Sequence, residues 1–158
     1  MGAGQLRTPA PGSSNPPAIA KDSPAPLVEG TTLSGMPFDL TAYRGRPVIL
    51  NFWGPSCQPC RDEFPLFKAE LATHAADGLA VVGILTDDPV APARDFIATY
   101  GATWPTVEDP TGAIKAAYRV IARPQSYFID RDGVLRKISV GQVTDTTFPD
   151  LYASISTP

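Results

Sequence analysis

Two stretches of almost unbroken apolar residues, at positions 47–53 and 79–85, stand on either side of a segment whose apolar residues recur in helical steps. A strand with only apolar side chains cannot turn one face to water, so each run must be buried on both faces. Between them, Phe64, Phe67, Leu71 and Ala75 fall three and four residues apart, the pattern of a helix packed on a sheet. Residues 58–76 are therefore expected to be helical, with Pro65 removing one backbone bond to Arg61 and kinking the helix. The result is a strand–helix–strand unit at the centre of the fold.

The flanking segments complete the sheet. Leu27-Val28 and Pro37-Phe38-Asp39-Leu40 surround a turn-rich stretch from Gly30 to Gly35, which predicts a short hairpin. Downstream, Asp88 reads as the N-cap of a helix with Pro89 at its first position, carrying Phe96, Ile97 and Tyr100 and stopping at Gly101. A short helix over about residues 111–118 follows. Strands at 125–130 and 134–140 are joined by Arg131-Asp132-Gly133, a strong hairpin signal. Phe148, Leu151, Tyr152 and Ile155 mark a closing helix. The fold class is α/β: a central mixed sheet with helices on both faces.

A chain of 158 residues, 43% hydrophobic, can bury one ordinary core. The formal charge of −3 and a pI near 5.0 disfavour nucleic acid and anionic lipid as partners. The longest apolar stretch, 79–85, falls well short of the roughly 20 residues of a membrane span. No charged start followed by a hydrophobic run marks a signal peptide, and a removed export signal or anchor stays open. Residues 1–26 hold six of the 18 prolines and no aromatic residue, which reads as a disordered tether ahead of one domain at 27–158.

The chain's two cysteines stand together as Cys57-Gln58-Pro59-Cys60, directly between the first strand and the helix. A structural cross-link over so short a loop gains only about 2 kcal/mol, a weak motive. A zinc site needs two more ligands, and the only further soft candidate, His74, would sit roughly 21 Å along the helix from Cys60. Redox exchange is the reading that remains strongest. A thiol attacks only as thiolate, and Cys57, capping the helix from Gln58, faces unpaired N–H groups and the positive end of the helix dipole. Cys57 is then the attacking sulfur and Cys60, one turn further in, the resolving one. The exchange needs neither cofactor nor metal.

The run Asn51-Phe52-Trp53-Gly54-Pro55-Ser56-Cys57-Gln58-Pro59-Cys60, with Pro65 beyond it, resembles the active site of the thioredoxin fold. Phe38-Asp39-Leu40, Tyr43-Arg44-Gly45-Arg46-Pro47 and the extra helix after Asp88 narrow the resemblance to TlpA/ResA-like extracytoplasmic thiol-disulfide oxidoreductases, over about residues 27–156. It implies a thioredoxin-like fold with an N-terminal β-hairpin and an inserted helix. It also implies that Pro124, in Ala122-Arg123-Pro124-Gln125, is preceded by a cis bond and lies against the cysteine pair.

The substrate groove implied by this likeness involves Pro124, Arg123, Trp53, Gln58 and Pro59, with Arg123 favouring acidic surroundings in the target. The resemblance aligns Asp88 with a residue that relays the proton of Cys60, while the local sequence supports a plain helix cap. Two positions depart from the pattern: Ser56 stands where Trp is common, and Asn51 where cytosolic thioredoxins bury a carboxylate. His74, Trp104 and Tyr118 read as packing residues.

The expected activity is reduction of selected extracytoplasmic protein disulfides, for example in apocytochrome c during its maturation. The expected setting is the bacterial periplasm or envelope exterior, with a monomer re-reduced by a membrane electron donor and anchored there in the full-length protein. A general disulfide oxidase or isomerase is the alternative within the same chemistry; a non-catalytic binding module presenting Arg123 and Trp53 is the alternative outside it. A peroxidase is disfavoured, because Leu50 and Gly54 stand where Pro-x-x-x-Thr-x-x-Cys needs Pro and Thr.

Overall fold

The computed structural model describes residues 19–157. In chain order the elements are β1 (Ser23–Pro24), β2 (Glu29–Thr31), β3 (Pro37–Asp39), β4 (Val48–Trp53), α1 (Gln58–Thr73), β5 (Ala80–Leu85), α2 (Val90–Tyr100), β6 (Thr106–Val107), α3 (Ala113–Ala117), β7 (Gln125–Ile129), β8 (Val134–Val140) and α4 (Phe148–Ser156). Six strands form one sheet in the order β1-β8-β7-β4-β5-β6, and β2 and β3 form a separate hairpin. The two apolar runs lie side by side and parallel, Val48 opposite Ala80 and Trp53 opposite Leu85, with every residue of both strands buried. β7 and β8 are antiparallel to their neighbours, so the sheet is mixed as expected.

Side-chain alternation divides the core in two. Ile49, Trp53, Val81 and Leu85 point to the layer built by α1, α2 and α4, whereas Val48, Leu50, Phe52, Val82 and Ile84 point to the opposite one. That second layer is made by α3 with Ile114 and Tyr118, together with Val28 and Phe38 of the hairpin region. The hairpin thus serves as a cover where a longer helix would otherwise be needed. A bridge between Thr32 and Val107 fastens it to the sheet.

Three local features differ from the sequence expectations. Of the tether expected over 1–26, the first 18 residues lie outside the described residues, but Ser23 and Pro24 pair with Leu135 and Val134 as an edge strand. Tyr118 Oη donates to the Pro26 carbonyl at 2.6 Å, so the packed chain starts earlier than its first aromatic residue suggests. Asp88 does not cap α2; the N-cap position falls on Pro89, and no side chain caps that end. Strand β6, only two residues long, had no pattern to betray it.

Candidate active site

α1 starts at the sheet's end because β4 delivers the chain there and Cys57 caps the helix. The Cys57 backbone is extended, and its sulfur accepts the Cys60 N–H at 3.3 Å. Cys57 and Cys60 are joined as a disulfide, their Cα atoms 5.2 Å apart. Cys57 is half-buried while Cys60 is 1% exposed, the asymmetry expected of an entering and a resolving sulfur. Gln58 and Pro59 are exposed on the first turn, Gln58 donating to Asp62 at 2.7 Å.

The Arg123–Pro124 bond is cis, and Pro124 is buried. Its carbonyl accepts the Gly141 N–H at 2.8 Å, tying the loop to the end of β8. A cleft of about 220 Å³ beside this loop is lined by Asp87, Lys115, Val120, Ile121, Ala122 and Arg123. Ile121, 81% exposed, stands at its rim. A second cleft, of about 270 Å³, runs between Pro55 and Arg61 on one side and Pro92, Asp95, Phe96 and Thr99 on the other.

Trp53 does not line a groove. It is fully buried, its ring edge-on to Phe64 with centroids 4.8 Å apart and its Nε1 donating to Thr106 Oγ1 at 3.3 Å. The indole crosses β5 so closely that a Cβ on Gly83 would approach its Nε1 to 2.7 Å. An aromatic residue closing an all-apolar strand carries no sign of whether it turns to the core or to the mouth of the sheet. The surface proposed for a binding module therefore loses one of its two members.

Asp88 and Arg123 meet. Arg123 Nη1 lies 3.0 Å from Asp88 Oδ2 and donates to the Thr86 carbonyl at 2.7 Å. Asp88 also accepts the Ser56 N–H at 2.9 Å and the Ser56 hydroxyl at 2.7 Å. Burial alone would raise the Asp88 pKa, but the bonds from Ser56 and the Arg123 guanidinium outweigh it and hold the carboxyl below its ordinary range. The guanidinium that the sequence offered to acidic targets is already paired within the chain.

The residue that sequence reasoning missed is Glu63. It is wholly buried on α1, one turn beyond Cys60, where residues three apart are neighbours on a helix face. Its carboxyl accepts from Asn51 Nδ2 at 3.1 Å and from the Val143 N–H at 2.6 Å, and Asn51 Nδ2 also donates to Ser126 Oγ at 3.0 Å. Burial pushes its pKa up to about 7, against the opposing pull of those two donors. The carboxyl that Asn51 lacks is thus supplied from the helix and hydrogen-bonded to Asn51 itself.

Comparison with known proteins agrees with this geometry. Residues 22–138 match the AhpC/TSA family. The chain is 33% identical over 127 residues to the thiol-disulfide oxidoreductase ResA of Geobacillus thermodenitrificans, covering 80% of this chain and 73% of that one. It superposes on a thiol:disulfide interchange protein of the thioredoxin family from Chlorobium tepidum with a TM-score of 0.78 at 27% identity, covering 89% of this chain and all of the other (100%). A secreted Mycobacterium tuberculosis disulfide oxidoreductase homologous to E. coli DsbE gives 0.71 at 29% identity, covering 81% and 96%. With a disulfide-forming Cys-x-x-Cys at the mouth of a thioredoxin-like sheet, this chain belongs to the AhpC/TSA family and, within it, to the ResA-like thiol-disulfide oxidoreductases.

Proposed function

We propose that the protein is a reductant of selected protein disulfides outside the cytoplasm. The observation that carries disulfide exchange with Cys57 attacking is the unequal burial of the two sulfurs at the N-terminus of α1, and the reducing direction follows from the family likeness. In the reduced protein the Cys57 thiolate attacks one sulfur of a target disulfide, forming a mixed disulfide and expelling the other target sulfur as thiolate, which takes up a proton. Cys60, deprotonated, then attacks the Cys57 sulfur, forms the Cys57–Cys60 bond and releases the second target thiolate. Two electrons pass from the pair to the target. A membrane electron donor restores the dithiol, and apocytochrome c is a target that the family likeness favours.

Glu63 suits the second step better than Asp88. Its carboxyl lies on the same helix side as Cys60 and exchanges its proton near neutral pH, so it can accept the Cys60 proton as resolution begins. Asp88 is held ionised among three donors and faces Ser56 instead. The extracytoplasmic setting is supported by the secreted M. tuberculosis relative. Among the described residues no helix is long and apolar enough to cross a membrane.

The test is a trap. Cys60→Ser should accumulate covalent complexes with target proteins that reductant dissolves, and Cys57→Ser should accumulate none. Capture by Cys57→Ser alone would reverse the assigned order. A reduction potential near that of strong periplasmic oxidants would overturn the direction, leaving the exchange chemistry intact.

A further inference from the structure

Three loops converge beside Cys57, and one pair of opposite charges ties them together. Ser56 belongs to the turn before α1, Asp88 to the connection from β5 to α2, and Arg123 to the residue before Pro124. The Asp88 side chain is only 9% exposed and that of Arg123 22%. Arg123 Nη2 also lies 3.3 Å from Ser56 Oγ, so the cluster closes on itself. Gly54 makes room for it: a Cβ there would overlap both Arg123 Nη1 and Asp88 Oδ2. Because Ser56 directly precedes Cys57, bond lengths along the chain keep the Asp88 carboxylate within about 10 Å of the Cys57 sulfur, about one Debye length at ordinary salt.

We propose that Asp88 and Arg123 form a charge balance that sets the stability of the Cys57 thiolate, and through it the reduction potential of the cysteine pair. Both are positioning residues, acting on Cys57 through Ser56 and across space. The proposal rests on Cys57 as the attacking sulfur. While the two charges are paired, their fields at the sulfur largely cancel and the end of α1 dominates. Remove the anion, and the remaining guanidinium favours the thiolate. Remove the cation, and the remaining carboxylate opposes it. The other charges around the site are Arg61, stacked 5.1 Å over the Phe96 ring; Asp62, bonded to Gln58; the Asp87–Lys115 pair; and buried Glu63. All of these are common to the variants compared.

The experiment titrates the single thiol of Cys60→Ser by its thiolate absorbance. Adding Asp88→Asn should lower the Cys57 pKa by about half a unit, and adding Arg123→Gln should raise it by a similar amount. The double variant should return close to the parent. Arg123→Lys, which keeps the charge but loses the fork, should stay near the parent as well. In the intact pair equilibrated with glutathione, Asp88→Asn should become easier to reduce and Arg123→Gln harder. Shifts of the same sign in Asp88→Asn and Arg123→Gln, no shift in either, or an Arg123→Lys shift as large as that of Arg123→Gln would overturn the charge balance. Alkylation of the intact reduced protein reports separately which sulfur reacts first, so failure of the attack order and failure of the charge balance are distinguishable.

Discussion

At the scale of single residues, the most consequential group is a carboxyl with no exposure to water. Glu63 is ordinary in the unfolded chain, with a pKa of 4.5, and raised to about 7 in the fold. Between these values the unfolded chain has lost the proton that the folded one keeps, so stability falls as pH rises through this window and is flat above it. The full difference is on the order of 3 kcal/mol. Glu63→Gln should abolish the slope between about pH 4.5 and 7 in urea titrations; an unchanged slope would assign it to other groups. The same substitution should slow resolution of the mixed disulfide while sparing its formation, measured by stopped-flow exchange with a model disulfide. Gly54→Ala should force Asp88 and Arg123 apart and lower the thermal midpoint, an effect that Ala at exposed Gly35 or Gly101 should produce only through their positive φ.

Among the elements, α1 holds the site in place through an aromatic cluster. Phe64 meets Trp53, Phe96, Tyr100 and Trp104 with ring centroids 4.8, 4.9, 5.5 and 5.1 Å apart. Phe64→Ala should cost about 3–5 kcal/mol, lowering the melting temperature by roughly 10 °C or more for a domain of this size. If the midpoint barely moves, the cluster is not what fixes the helix. The long elements around it were legible in the sequence because both apolar runs and the period of α1 repeat over many residues. β1 and β6, two residues each, are defined by their partners and leave no period to detect. The Cys57–Cys60 pairing and the cis bond before Pro124 were legible from motif. Glu63 follows Asp62 in the chain, yet its helical spacing places it three residues after Cys60 and four before Phe67, on the buried face, a signal hidden by the expectation that acids face water. The helix-cap reading of Asp88 fails because local sequence cannot show that Ser56 and Arg123, 32 and 35 positions away, reach its side chain.

For the molecule as a whole, the hairpin and the first described residues close the layer opposite the chemistry. Val28 is fully buried there, Arg136 joins Asp130 at 2.7 Å and Asp22 at 2.9 Å, and β1 covers only the first part of β8. Removing residues 1–26 should therefore lower the denaturant midpoint by stripping β1 and the Pro26 carbonyl from Tyr118, while the Cys57 titration stays in place. The position of the two tryptophans has a practical consequence. Trp53 and Trp104 both pack around Phe64, in the same buried cluster as Cys60. With both emitters in the cluster that holds Cys60, the protein carries an unlabelled optical gauge of its own oxidation state, and its fluorescence should change as the disulfide opens.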